Sequence, residues 1–297
     1  MIWVTWRQHR TQATVCAAIF CLFAIVSITV GLWMRSTFSS DGLAACLARS
    51  GGADCQGAIA SFIGKFSTGL TTAMSVSMLA IPAFLGAIMG PLLLGRELEQ
   101  GTWRLAWSQT VPRTQWLITK LVLVTGGLVV FGAAMSLVAG WLLEPLDQVS
   151  GRLPFESNAQ GVVFTCSLLC SFGLGVLAGL LLRNTIGAMV VTYVAWEVSS
   201  IPVLLTSTGP LHVPGPATMR LPCRDGCPGA SAGSVFPVTG HLGDQVLSLT
   251  RSGGELIVRY VPASRFWPMQ FIAGGWYLAI AATAIAAAIW LLNRRTT

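Results

Sequence analysis

Charge is what this sequence has least of. Only 10% of its 297 residues are Asp, Glu, Lys or Arg, against 54% hydrophobic, and the mean hydropathy is +0.70. A soluble globular chain carries about 25% charged residues, so this one cannot cover a water-facing surface. That excludes a soluble enzyme, a disordered chain and a classical nucleic-acid binder. There is no run of Lys or Arg; the densest basic stretches are Arg7–Arg10 and Arg294–Arg295. The formal charge of +7 is instead what a membrane protein collects on its cytoplasmic side. The main solvent is lipid, and no nucleic-acid partner is expected. At roughly 20 apolar residues per membrane helix, half of the chain accommodates about six or seven spans.

Histidine is scarce too: His9, His212 and His241 are all there are. No HExxH, GxSxG or DxD-like cluster is present, and no GxxxxGK[ST] phosphate loop. The chain therefore cannot hold ATP in the P-loop manner, and no enzyme constellation is expected in it. Its eight cysteines fall into two groups. Cys16, Cys21, Cys166 and Cys170 lie in apolar runs, where a free thiol is at home. Cys46, Cys55, Cys223 and Cys227 lie in polar stretches, two in each, as suits disulfides on an oxidising face. The local pairings are Cys46–Cys55 and Cys223–Cys227; two other pairings are open, and so are free thiols. Zinc is the weaker reading, because Cys-x3-Cys is poor spacing and no histidine completes it.

Six apolar runs are separated by marked breaks, at about 14–34, 71–94, 117–143, 161–182, 185–205 and 268–292. The first is long for a signal peptide and lacks a clear cleavage site, so it reads as a retained span. Residues 1–13, with Trp3, Trp6, Arg7 and Arg10, read as an interfacial helix or as a plain anchor for the first span. Ser36–Phe66 reads as a polar loop, and Pro91 is expected to loosen or end the second run. Gly86-x3-Gly90 and Gly175-x3-Gly179 permit close helix packing. Residues 206–267 form a long polar segment with β-like pieces at Gln245–Leu249 and Glu255–Val261. The expected fold is a single all-α integral membrane domain of six transmembrane helices over residues 1–297.

Placing both termini inside leaves nine basic residues on each face. Density breaks the tie, because the inner segments are about half as long as the outer ones and long loops count little. Acids agree: eight lie outside and two inside, with Glu197 in a span. The paired cysteines also fall outside. Both termini are therefore expected in the cytoplasm, with 206–267 extracellular.

The one charge-rich connection between spans lies on the inner face. It begins with Arg96, Glu97 and Glu99, passes through Gly101, Thr102, Trp103, Arg104 and Trp107, and turns at Pro112-Arg113 before Lys120 opens span three. A helix of 10–15 residues here would lie across the cytoplasmic face, where a soluble motor could grip it; an ordinary interfacial loop with tryptophan anchors fits the same residues. Six spans, internal termini, a Glu-x-Gly-Thr pattern at Glu99, Gly101 and Thr102, and Arg113 followed seven residues later by Lys120 resemble the membrane subunit of a type-2 ABC (ATP-binding-cassette) exporter. The family's proline would fall at Thr110, whereas here it is Pro112, which changes the turn. The opening WVTWRQHR and the run RELEQGTWRLAWSQ look like permeases of actinobacterial type.

The resemblance implies a plasma-membrane permease without a cofactor of its own. Two partner ATP-binding subunits would bind ATP and magnesium and dock on the coupling helix formed by Arg96, Glu97, Glu99, Gly101, Thr102, Trp103, Arg104 and Trp107. A second permease, identical or homologous, would complete a path for a hydrophobic or amphipathic substrate, as in multidrug or antibiotic export. Spans two and five would face that path, which brings in Met78, Phe84, Trp196 and Glu197. Glu197 is also read on its own terms. An acid in a span usually faces protein or a wet cavity; here it is either a substrate contact or a group near the outer interface. The rival readings are a membrane sensor or assembly partner that moves nothing, and an ion-driven secondary transporter, for which Glu197 alone is thin support.

Overall fold

The computed structural model describes residues 2–48, 53–99, 113–150, 161–182, 184–207, 217–222, 245–252 and 255–294. Helix α1 spans Ile2–Ser40, α2 Leu43–Ala48, α3 Ala53–Glu99, α4 Arg113–Ser150, α5 Val163–Leu182, α6 Thr185–Ser207 and α7 Phe266–Arg294. Among the described residues, six of these are long and apolar enough to cross a membrane: the stretches Ala13–Ser40, Thr72–Leu93, Leu117–Val149, Val163–Leu182, Thr185–Leu205 and Phe266–Arg294. They lie on the six apolar runs of the sequence. Residues 2–13 do not form a separate helix but continue into the first span.

Helix α5 is the hub. It has no polar face, and a helix that is hydrophobic all round belongs inside. It is buried along most of its length and packs against α3, α7, α6 and α4. α1 is peripheral: it packs mainly on α4, and its Leu22, Ile25 and Leu32 point away from the protein.

α3 and α5 pack closely among the described residues, and glycine makes this possible. A Cβ added at Gly90 would lie 2.6 Å from Gly175 Cα and 2.6 Å from Phe172 O, both backbone atoms. One added at Gly175 would meet the Pro91 ring at 2.7 Å and Gly90 Cα at 2.9 Å. The two backbones touch where side chains would hold them apart. This also corrects the expectation for Pro91. Both Pro82 and Pro91 lie inside α3, which continues to Glu99. The missing amide costs a hydrogen bond, but neighbouring helices in a membrane bundle hold such a helix together.

A second correction concerns Ser36–Phe66, which is not a polar loop. α1 runs on to Ser40, α2 follows after a turn with Gly42 at φ 64°, and α3 begins at Ala53. At 47 residues α3 is about 70 Å long, more than twice the hydrocarbon core. The surplus of α1, α3 and α4, with α2, forms a helical head at one end of the bundle. Its core is Met34, Leu43, Ile59, Phe62, Phe66, Leu142, Leu143 and Leu146. Rings meet edge to face through it, with Trp33–Phe66 centroids at 4.9 Å and Phe38–Phe62 at 5.7 Å. Arg35 joins α1 to α4 by donating to Glu144 Oε2 at 2.8 Å and Trp141 O at 2.6 Å, and its guanidinium lies 3.9 Å from the Trp141 ring centroid.

The fold is also not wholly α. β1 (Ala217–Pro222), β2 (Gln245–Ser252) and β3 (Glu255–Val261) form an antiparallel sheet in the order β1-β3-β2. The pieces at 245–249 and 255–261 were legible; β1 was not. β3 alternates toward the sheet's apolar side, where Leu256 and Val258 are buried. A 3-10 turn at Ala263–Arg265 leads into α7.

Candidate functional site

The site grows out of the phase of α6. Ala188, Thr192, Trp196, Ser199 and Val203 are buried at spacings of three and four, so one stripe of the helix is packed inward. Ile186, Val190, Tyr193, Val194 and Ile201 occupy the other side and are exposed. Trp196 is 1% exposed and donates its Nε1 hydrogen to Ser167 O of α5 at 3.3 Å. It anchors one helix to another. Ser199 lies in the same seam, 3.8 Å from Cys170 Sγ, and its carbonyl accepts from Trp276 Nε1 of α7 at 3.0 Å.

Glu197 is next in sequence but about 100° further round the helix. It is half-buried and lies one turn after Tyr193, within electrostatic reach of that residue's hydroxyl. The buried Tyr277 of α7 lies within its electrostatic reach. Tyr193 stacks obliquely on Phe84 of α3, with centroids 5.7 Å apart and 35° between planes. Phe84 and Tyr193 are 57% and 38% exposed, so the pair opens outward from the bundle. Of the four residues read as path-lining, Phe84 is one ring of this pair and Glu197 lies one turn from the other, while Trp196 turns inward. Met78 is in helical α3, and its side chain lies outside the described residues. Tyr193 was missed, although its position four residues before Glu197 is the signal that finds it.

The residues expected to form a coupling element are placed only in part. Arg96, Glu97 and Glu99 form the last turn of α3, without described side chains, and α4 starts at Arg113. Gly101, Thr102, Trp103, Arg104 and Trp107 lie outside the described residues. Lys120 is buried near the start of α4.

Of the cysteine pairs, Cys46 and Cys55 are joined in a disulfide with a Cα–Cα distance of 5.7 Å, linking α2 to α3 within the head. Cys223 and Cys227 lie outside the described residues. Another polar contact, also missed, ties the start of α5 to α7. Gln270 Oε1 accepts from Val162 N and Val163 N, both at 3.2 Å. It supplies to the first turn of α5 the acceptor that a capping side chain would. Gly161, at φ 76°, makes room for it. Among the described residues no three His, Cys, Asp or Glu side chains gather into a metal-ligand group.

A family model described as ABC-2 membrane transporter related matches residues 17–206. No curated protein matches the sequence, and no solved structure does. The match covers spans one to five and includes α5, the Phe84–Tyr193 pair, Glu197 and the segment after α3. Such a permease is the membrane component of its transporter and implies an ATP-binding partner subunit and a lipid bilayer. With six apolar helices and a family match over most of its length, the chain belongs to the ABC-2 membrane transporter related family and is a multi-pass membrane protein.

Proposed function

We propose that this chain is the permease half of an ATP-driven type-2 exporter in the plasma membrane. The family match over residues 17–206 is the observation that carries the reading. In it, the last turn of α3 and the residues up to Arg113 form the coupling element, with Arg96, Glu97, Glu99, Gly101, Thr102, Trp103, Arg104 and Trp107 as the docking surface. ATP and magnesium sit in two partner subunits. Their nucleotide states shift the permease only through different affinities for its two conformations. Both termini and the α3–α4 connection face the cytoplasm, and the head and sheet face outward. Density of basic residues supports that orientation, as does the Cys46–Cys55 disulfide, a bond at home on an oxidising face.

A second permease copy or a homologue covers the apolar face made by α3 and α6. Val76, Leu79, Phe84 and Ile88 line it from α3, and Val190, Tyr193 and Val194 from α6. A hydrophobic or amphipathic substrate, such as a drug or antibiotic, crosses between the two. The test is co-purification from the native membrane. An ATP-binding subunit should come down with the chain and be lost with Glu99→Ala or Arg104→Ala. Recovery of the permease with no ATPase, unaffected by either change, would leave the sensor or assembly reading standing.

A further inference from the structure

We infer that Phe84, Tyr193 and Glu197 form a binding site for a lipophilic organic cation, an inference that rests on the exporter reading for what becomes of the ligand. Glu197 sits in a span of 21 residues, about 18 Å along the helix from one end and 12 Å from the other. A carboxylate at that depth is costly without compensation. The polar group one turn away, the Tyr193 hydroxyl, carries no positive charge to compensate it. Among the described residues no Lys or Arg forms an ion pair with it. An ionised carboxylate offers about four acceptor positions, more than one neighbouring hydroxyl can satisfy.

The surroundings select what can fill the rest. Phe84 and Tyr193 come from different helices and hold their rings together beside the carboxylate, both open to the outside of the bundle. Aromatic faces attract cations, more strongly where water is excluded. Val190 and Val194 on α6 and Ile88 on α3 are exposed within one turn of the ring-bearing residues and offer only hydrocarbon. An inorganic cation would need several oxygen ligands, and among the described residues no three His, Cys, Asp or Glu side chains gather to supply them. A neutral ligand would leave the carboxylate uncompensated, and an anion would be repelled. A monovalent cation with an apolar body satisfies charge, rings and flanks together. The helix packing does not require Glu197, because Trp196, Ser199 and Tyr277 hold α6 and α7 against α5.

The test uses a pair of ions of one shape and opposite charge. Equilibrium binding of tetraphenylphosphonium and tetraphenylborate is measured on the full chain in phosphatidylcholine nanodiscs. Wild type should prefer the cation, and Glu197→Gln should weaken its binding by about tenfold or more. Phe84→Leu should weaken it about two- to fivefold. Glu197→Asp, which keeps the charge, should retain most of the affinity, and monodisperse elution of each variant confirms folding. Equal binding of both ions by wild type, or unchanged cation binding by Glu197→Gln, overturns the site. The exporter reading fails separately. Glu197-dependent cation binding by a chain that recruits no ATP-binding subunit upholds the site and rejects the exporter. An assembled, active complex whose cation binding ignores Glu197 does the reverse.

Discussion

Replacing Gly90 by alanine tests the backbone-to-backbone contact of the α3–α5 seam. The new methyl would lie 2.6 Å from Gly175 Cα and from Phe172 O, about 0.8 Å inside the 3.4 Å at which ordinary contact begins. Both obstacles are backbone, so no rotamer change relieves them; α3 and α5 must move apart. Opening a packed seam by 0.5–1 Å forfeits roughly a quarter to a half of each dispersion contact along it. Overpacking of this kind costs about 1–3 kcal/mol. Alanine also favours helix over glycine by about 1 kcal/mol, so a control must isolate the clash. Gly126→Ala in α4 provides it, because nothing lies within 4 Å of the position its Cβ would take. Thermal unfolding in detergent, followed by tryptophan fluorescence, should show Gly90→Ala melting about 5 °C below Gly126→Ala, as a difference of ~2 kcal/mol implies. Gly90→Val should fall further. A Gly90→Ala protein that melts level with the control, or above it, refutes the argument that backbone contact sets the α3–α5 distance.

Gln270→Met keeps the volume but removes the acceptor of two amides at the start of α5; it should cost about 2–4 kcal/mol and speed hydrogen exchange at Val162 and Val163. Arg35→Ala removes a part-exposed ion pair, a carbonyl contact and a cation–π contact, and should destabilise the head by about 1–2 kcal/mol in denaturant unfolding, with Arg35→Lys recovering only part. With the other cysteines replaced by serine, Cys46 and Cys55 should react with an impermeant maleimide added outside intact cells only after reduction; labelling that requires permeabilised cells would reverse the proposed orientation.

The spans were legible because lipid demands long uncharged runs, and the breaks between them hold nearly all the charge. The head was not, because its helices carry small and polar residues on their open side. Gly57, Ser61, Gly64 and Lys65 hide the spacing of Ile59, Phe62 and Phe66, whose partners Leu142, Leu143 and Leu146 come from a distant helix. Pro91 misled for a related reason: its local penalty is visible in sequence, whereas the Gly175 contact that supports the helix is not. β1 is six residues long and meets its partner 33 or more residues later, beyond any local pattern. At the candidate site, Glu197 and Phe84 stood out as residue types. Trp196 needed the helical phase, which only packing of Ala188, Thr192, Ser199 and Val203 fixes.

The length of α3 has a mechanical consequence. The Gly90–Gly175 contact lies nine residues from the Glu99 end and 37 from the Ala53 end, arms of about 14 and 55 Å. An α3 that tilted as one body about that contact would be a lever with its fulcrum near the end the proposed ATP-binding partner would push. A 2 Å displacement at Glu99 becomes about 8 Å at the disulfide-tied tip. The glycine seam then sets more than stability: moving the fulcrum changes the stroke.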